Sequence, residues 1–404
     1  MNAVMHGSPV RFGIIGVGGF ARSHIESILA LEKHGLVRLE AAADPSLSLI
    51  ETTFTNYGHA VPSRFADYHE MLRSTKLDAV MIATPLHLHC EMAEAALEAG
   101  FAVFMEKPPV VSLEQWNRVM AAIRKSGKPC GIDFQTMSGK QIRDLKRWVV
   151  EGKLGQIQSV VGFSHQKRYD AYYERTSWAG KIQLGGKLVR DGSVNNPMAH
   201  QLNSALHIAS NKPFEWVQPT HVRAELYRAH PIETEDTTCM EISTKEGPKV
   251  YFYTTLCSKH HSNHTGWLVA GDKATAFLDT EKLQLRNGDK VFETIQYKPD
   301  ELGSVETMVE NMVLHLLGKA DRLICPFEKT RAFVASVEGM FQSSGVVRLV
   351  PDSFVKRFPM DGSIATEILD IDENLQEAVR RKVLLSDLKV PWATATKPYA
   401  LPAA

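Results

Sequence analysis

The sequence predicts a two-domain α/β protein: an N-terminal doubly wound parallel sheet, then an α+β domain carrying a large, mostly antiparallel sheet. Three observations predict it. At 404 residues the chain exceeds the usual size of one hydrophobic core. From Val10 to about Gln135, short β-rich runs alternate with helical patterns, the signature of βαβ units. Beyond Gln135 the runs are longer, alternate apolar with polar residues and lack short crossover helices between them, which fits an antiparallel sheet packed on helices. The expected divisions are 1–135, 136–350 and a C-terminal extension, 351–404.

In the first region the strands are RFGIIG, VRLEAAA, DAVMIA, AVFME and PCGID, with helices beginning near Phe20, Ser46, Asp67, Leu88 and Leu113. Runs such as AVMIA are continuously apolar, as strands covered on both faces must be. EMAEAALEAG carries Ala and Leu at helical spacing and stops at Gly100, a C-cap residue. The second region opens on a helix, KQIRDLKRWVVEGKLG, followed by strands in QIQSVVGFSH, THVRAELY, TCMEIS, KVYFYTTL and WLVAGDKATAFLD. The extension holds one helical pattern, DENLQEAVRRKVLLSDL, and a Pro- and Ala-rich end expected to wrap the surface or stay disordered.

Lys+Arg and Asp+Glu are balanced at 46 each, so the formal net charge is zero and neither nucleic acid nor an anionic membrane is an expected partner. The five cysteines (Cys90, Cys130, Cys239, Cys257, Cys325) are scattered, which reads as free thiols in a reducing compartment. The N-terminus lacks the pattern of a secretory signal, and no stretch approaches the roughly 20 apolar residues of a membrane span. A cytoplasmic protein is expected.

The segment Gly16-Val17-Gly18-Gly19-Phe20-Ala21 follows a strand, opens a helix and precedes a second strand ending in Asp44. Gly16 suits the tight turn, Gly18 admits a pyrophosphate close to the backbone, and Ala21 lets the helix pack tightly on the strand. The helix start then offers N–H groups and the positive end of its dipole to phosphates. This is the pattern of a Rossmann dinucleotide site, with Gly19 and Phe20 lying in the same turn. Asp44 stands where an acid hydrogen-bonds the ribose hydroxyls and repels a 2′-phosphate, and Pro45 and Ser46 supply no cation to offset it, so NAD is expected in preference to NADP.

Together, GVGGFA at Gly16–Ala21, ADP at Ala43–Pro45, LDAVMIATPLHLH ending at His89, EKP at Glu106–Pro108, a strand ending in Gln135, the helix with EGKLG and a Gly-Gly-led stretch reaching His200 resemble the Gfo/Idh/MocA oxidoreductases. The resemblance spans about residues 10–350. It implies a Rossmann domain followed by an α/β domain whose open sheet often forms the interface of a homodimer or homotetramer. It also implies that Thr84, Pro85, His89, Glu106, Lys107 and Gln135 contact the cofactor, and that Lys107 reaches the reacting hydroxyl. A partly buried ammonium at the carboxyl edge of a parallel sheet can stabilise negative charge developing on a substrate oxygen. His87 aligns with none of these positions and reads as a capping or surface residue.

In the family a carboxylate and a histidine four residues later share a helix face; the matching positions here are Asn196 and His200. An imidazole titrating near neutrality suits proton transfer from a hydroxyl. Asn196 cannot take a proton but can hold a sugar hydroxyl. Asn203 stands where many family members have Asp, and Asp191 is the nearest carboxylate upstream. Just before lies YDAYYERTSWAGK, whose Tyr173, Arg175 and Trp178, with Tyr169 and Tyr172, suit a sugar ring and equally suit sheet-edge packing. Cys257, His260, His261 and His264 hold zinc-ligand types without closing spacing, so no metal is expected.

The resulting expectation is an NAD-dependent enzyme oxidising a secondary hydroxyl of a sugar, sugar derivative or cyclitol. Two alternatives stand beside it: an NAD-retaining glycosidase or lyase working through transient sugar oxidation, and a non-catalytic NAD-binding regulator.

Overall fold

The computed structural model describes residues 8–260 and 264–403, and the chain divides into two compact units. The first comprises the chain to Val110, Glu114–Ser138 and Gly303–Thr330. Its elements begin with β1 (Val10–Ile15), α1 (Ala21–Lys33), β2 (Val37–Ala43), α2 (Leu47–Asn56), β3 (Ser63–Phe65) and α3 (Tyr68–Ser74). There follow β4 (Ala79–Ile82), α4 (His89–Glu98), β5 (Ala102–Glu106), α5 (Leu113–Ser126) and β6 (Cys130–Asp133). The six strands are parallel, in the order β3-β2-β1-β4-β5-β6. This is the doubly wound arrangement, whose ligand crevice lies outside the carboxyl ends of the strands. β4, β5 and β6 are buried at every position, which explains their unbroken apolar runs. β3 has no counterpart among the strands expected from sequence, because Ser63-Arg64-Phe65 is short, polar and buried at none of its positions. The helix starts agree with local chemistry: the Ser46 hydroxyl accepts from Leu49 N, and the Asp67 carboxylate from His69 N.

The second unit comprises Val111–Leu113, Gly139–Leu302 and Arg331–Ala404. It opens with α6 (Lys140–Val150), β7 (Ile157–His165), α7 (Asp170–Glu174), the β8 (Gln183–Leu184) and β9 (Lys187–Leu188) hairpin, and α8 (Ala199–Ile208). Next come β10 (Pro219–Arg228), β11 (Thr237–Thr244), β12 (Lys249–Thr255), β13 (His264–Gly271), β14 (Thr275–Leu278), β15 (Lys282–Asn287) and β16 (Lys290–Gln296). The chain re-enters the first unit as α9 (Val305–Leu316), which packs on α1. It then completes the second with α10 (Arg331–Ser344), β17 (Arg348–Leu349), β18 (Val355–Met360), β19 (Ser363–Ile368), α11 (Ile371–Arg381) and β20 (Tyr399–Ala400).

The large sheet runs β16-β15-β14-β13-β7-β12-β11-β10-β17, with β20 pairing β10. Within this sheet, among the described residues, only the β7–β12 and β10–β17 pairs are parallel. WLVAGDKATAFLD, read as one run, is a hairpin that turns between β13 and β14. α8 covers one face at β7, where a Cβ on Gly162 would lie 3.5 Å from Ala205 Cβ. The opposite face carries Val161, Phe163, Tyr227, Tyr251 and Tyr253, and it is covered by the chain's own end.

The helical part of the extension therefore belongs to the core, while the Pro- and Ala-rich end, expected to wrap the surface or stay disordered, runs over the surface past the buried Trp392 and pairs with β10 as β20. Ile371, Leu375, Ala378, Leu384, Leu385 and Trp392 are buried against that sheet face. The Trp392 ring meets Tyr227 edge-on at 4.8 Å. Polar contacts fix the docking: Arg223 spans both oxygens of Asp387 at 2.9 and 2.8 Å, and His165 Nδ1 lies 3.1 Å from Asp372 Oδ1. The apolar spacing of the extension signals a buried face, and tertiary partners rather than local propensity hold it.

Candidate active-site residues

In the first unit the turn after β1 matches its sequence. Gly16 has φ 84, a conformation that suits glycine, and a Cβ there would lie 2.5 Å from the Ala83 carbonyl oxygen. Ala21 is 1% exposed, as tight packing of α1 requires. Phe20 is half exposed at the α1 N-terminus, no side chain caps that end, and its first turn contains no acidic residue. A dipole end left without a side-chain acceptor fits an anionic phosphate. Asp44, at the end of β2, accepts from Val17 N at 3.3 Å and from Ser46 N at 2.9 Å, so its carboxylate is fixed beside the turn. The residues present thus fit a dinucleotide. Gly16→Ala is expected to weaken NADH binding at least about tenfold through left-handed strain and the clash with Ala83. Fluorescence titration of NADH measures it.

At the carboxyl edge of β5, Glu106 Oε2 accepts from Lys107 N at 3.0 Å, and the Lys107 side chain is partly buried. Thr84 and Pro85 are partly buried after β4, and Thr84 Oγ1 donates to Met92 Sδ at 3.3 Å. His89 is 1% exposed, with its ring nitrogens 2.8 Å from Pro108 O and 3.0 Å from Thr84 O, so it braces the backbone on both sides of the strand ends. Gln135, expected to end a strand, lies two residues past β6 and opens a short helical turn, and its carbonyl accepts from Ser138 Oγ at 2.7 Å.

Sequence reasoning missed two residues beneath Lys107. His24, from α1, is fully buried with Nε2 2.7 Å from Glu106 Oε1 and 3.7 Å from Asp133 Oδ2. Burial opposes charge on this imidazole, but the bond to Glu106 together with the negative charges of Glu106 and Asp133 outweighs it and raises the pKa. Burial, then the like charge of Glu106, pushes Asp133 up to about 8 against the pull of His24 and Lys107. Register pairs Glu106 with Asp133, yet His24 comes from far away in sequence and no local signal joins the three. An acid whose pKa is raised on folding stabilises the fold fully below its unfolded value and loses that contribution as pH climbs through the folded one. Asp133→Asn should therefore flatten the decline of Tm between about pH 4 and pH 8, which differential scanning calorimetry across that range reads.

In the second unit α8 begins at Ala199, so His200 lies in its first turn while Asn196 lies in the preceding turn rather than on the helix. The predicted shared helix face is thus replaced by a turn in which Asn196 N donates to Gly192 O at 3.1 Å and Met198 N to Ser193 O at 2.9 Å. Asn196 Nδ2 donates to Asp191 Oδ1 at 2.6 Å. Asn203 is fully buried on α8, where its Oδ1 accepts from Trp216 Nε1 at 3.0 Å, a packing contact.

The aromatic segment does assemble. The Arg175 guanidinium lies 3.8 Å from the Tyr172 ring centre and 5.3 Å from that of Trp178. The Tyr173 ring stands 4.9 Å from His230, and its buried hydroxyl has no partner among the described residues. Tyr169 donates to Asp361 Oδ2 at 3.3 Å. Of the residues weighed as zinc ligands, His261 lies outside the described residues, and Cys257 sits with its sulfur 3.4 Å from His230 Nδ1 rather than with His260 or His264. None of the five cysteines is in a disulfide, and all are buried. No helix of the described residues is long and apolar enough to cross a membrane.

The parallel sheet, its glycine turn and the acid ending β2 define a dinucleotide-binding protein of the Rossmann class. Residues 10–134 match the family model for the oxidoreductase family with an NAD-binding Rossmann fold, and residues 142–277 match the GFO/IDH/MocA C-terminal domain. The chain belongs to the Gfo/Idh/MocA oxidoreductase family. It is similar to D-glucoside 3-dehydrogenase of Escherichia coli, 34% identical over 39% of this chain and 44% of the relative. It is also similar to scyllo-inositol 2-dehydrogenase (NAD(+)) of Bacillus subtilis, 26% identical over 39% of this chain and 45% of the relative. The chain thus spans under half the length of these curated relatives. In fold it resembles the WlbA dehydrogenase from Bordetella pertussis, solved with NADH and UDP-GlcNAcA, with TM-score 0.69 and 20% identity, covering 83% of this chain and 97% of that one.

Proposed function

We propose that the protein is an NAD-dependent dehydrogenase oxidising a secondary hydroxyl of a sugar, sugar derivative or cyclitol. The observation that carries this reading is Lys107 at the carboxyl edge of the dinucleotide sheet, anchored through Glu106 and His24. The named activities of relatives that act on glucosides and inositols support the substrate class. Bound NAD supplies the hydride acceptor. Gly16, Gly18, Gly19 and Asp44 hold it, and the carboxylate of Asp44 favours ribose hydroxyls over a 2′-phosphate. Lys107 donates a hydrogen bond to the substrate oxygen and stabilises negative charge there, and His200 takes the hydroxyl proton. Tyr173, Arg175, Trp178 and Asn196 supply the ring-packing surface and polar contacts a sugar needs.

The test is a screen of monosaccharides, glycosides, sugar acids and inositols with NAD and with NADP, following NADH absorbance and identifying the product. Sustained NADH formation supports the dehydrogenase. Sugar product without net NADH points instead to the NAD-retaining glycosidase or lyase, and binding of NADH with no turnover of any substrate points to the regulator.

For assembly we propose a homodimer or homotetramer through strands the extension leaves uncovered. Val291 and Phe292 on β16 are exposed, and light scattering measures the mass.

A further inference from the structure

The sequence places an amide where the family has a carboxylate, and the second unit brings a carboxylate to that amide. Asp191 is 3% exposed. It sits in a tight turn: Arg190 before it has φ 54, a left-handed conformation rare for a residue with a Cβ. Gly192 after it passes so close to Glu235 that a Cβ there would lie 2.0 Å from Oε1. This turn aims the Asp191 carboxylate inward and its two oxygens take different partners. Oδ2 accepts from Gly180 N at 2.9 Å and lies 3.8 Å from Arg175 Nη2. Oδ1 accepts from Asn196 Nδ2 at 2.6 Å.

An amide is not symmetrical. An ionised carboxylate only accepts, so the atom of Asn196 facing Asp191 must be Nδ2, which turns the carbonyl oxygen Oδ1 to the other side as an acceptor. Bonding of the NH2 group to a carboxylate also draws electron density onto that oxygen and strengthens it as an acceptor. The same segment carries Arg175 with its Tyr172 and Trp178 neighbours, the cluster already suited to a sugar ring.

We propose that Asp191 is a positioning residue that locks the Asn196 amide with its carbonyl oxygen toward the substrate, making the pair a specificity element that selects a hydroxyl donor on the sugar or cyclitol. This rests on the dehydrogenase reading. The pair restores the acceptor character of the family acid without placing a charge at residue 196. Asp191→Asn removes the lock, because an amide partner tolerates either orientation of Asn196.

Two measurements test it on the full chain loaded with NADH or NAD. The first needs no turnover: selective ¹⁵N-asparagine labelling, with the Asn196 side-chain signal assigned by its loss in Asn196→Asp. The Asn196 NH2 protons are expected to be shifted downfield and slow to exchange, and to lose both properties in Asp191→Asn; unchanged signals would overturn the proposal. The second uses a D-glucoside and scyllo-inositol as probes. In Asp191→Asn, KM is expected to rise about tenfold or more while kcat stays within about threefold, since the contact is made equally in ground and transition states. An unchanged KM, or a loss in kcat alone, overturns the proposal.

The exchanged pair, Asp191→Asn with Asn196→Asp, keeps the hydrogen bond with donor and acceptor reversed. It is expected to fold and to return KM to within about threefold of the parent. A folded exchanged variant with KM as poor as Asp191→Asn also overturns the idea, and this arm decides the matter where the single variant does not fold. If neither probe is turned over, the dehydrogenase reading loses support for these substrates while the amide signal still judges the Asp191–Asn196 lock.

Discussion

Lys107→Ala and His200→Ala are each expected to lower kcat about 10²- to 10⁴-fold, the range that removal of a positioned acid–base or charge-stabilising group produces. On the proposed dehydrogenase reading both groups act on charge that develops only as the substrate hydroxyl loses its proton, so kcat and kcat/KM should fall together. NADH affinity should change by less than about tenfold, because in the proposed site the glycine turn and Asp44 hold the cofactor. Steady-state kinetics on whichever substrate the screen yields, with an NADH titration of each variant, measures both quantities. The double variant should be scarcely worse than either single one, since groups serving one proton transfer do not contribute additively. Full turnover in both single variants would remove the dehydrogenase assignment.

The second large effect concerns the chain's end. Truncation after residue 350 would uncover the sheet face carrying Val161, Phe163, Tyr227, Tyr251 and Tyr253, and the truncated protein is expected to aggregate or fail to fold. Leu375→Ala is the graded form of the same experiment. Leu375 is fully buried on α11, and its truncation should cost about 2–5 kcal/mol, as for other leucines whose removal leaves a cavity. Denaturant unfolding of the full-length variant reads that cost; a loss below about 0.5 kcal/mol would mean the extension adds little to the core.

A pH signature accompanies the docking. Bonds from His165, Ser258 and Lys259 N overcome burial and lower the Asp372 carboxyl to about 2. An acid depressed in this way contributes stability above its unfolded pKa and loses it as pH falls through the folded one. The extension's grip should therefore weaken as pH drops from about 4 toward about 2.

Much of the first unit was legible because its information is local. Apolar runs such as Ala79–Ile82, capping residues such as Ser46 and Asp67, and the glycine turn each state their structure within a few residues. β3 was illegible because a three-residue strand holds no periodicity. The two polar clusters were illegible for different reasons. His24 meets Glu106 across 82 positions of chain, and no spacing rule spans that distance. Asp191 and Asn196 are only five apart, but their meeting depends on a left-handed backbone at Arg190, a residue with no special preference for it.

By itself the sequence determined the doubly wound sheet, the dinucleotide turn, the acid that ends β2 and the resemblance that singles out Lys107 and His200. Those features follow from propensity, patterning and motif spacing, which act over short stretches of chain. The tertiary structure decided that the helical part of the extension belongs to the core, that His24 and Asp133 lie beneath the Lys107 strand end, and that the amide at residue 196 is held by an acid. Each of these requires burial, which brings distant groups together and makes every polar atom find its partner or stand exposed as an exception.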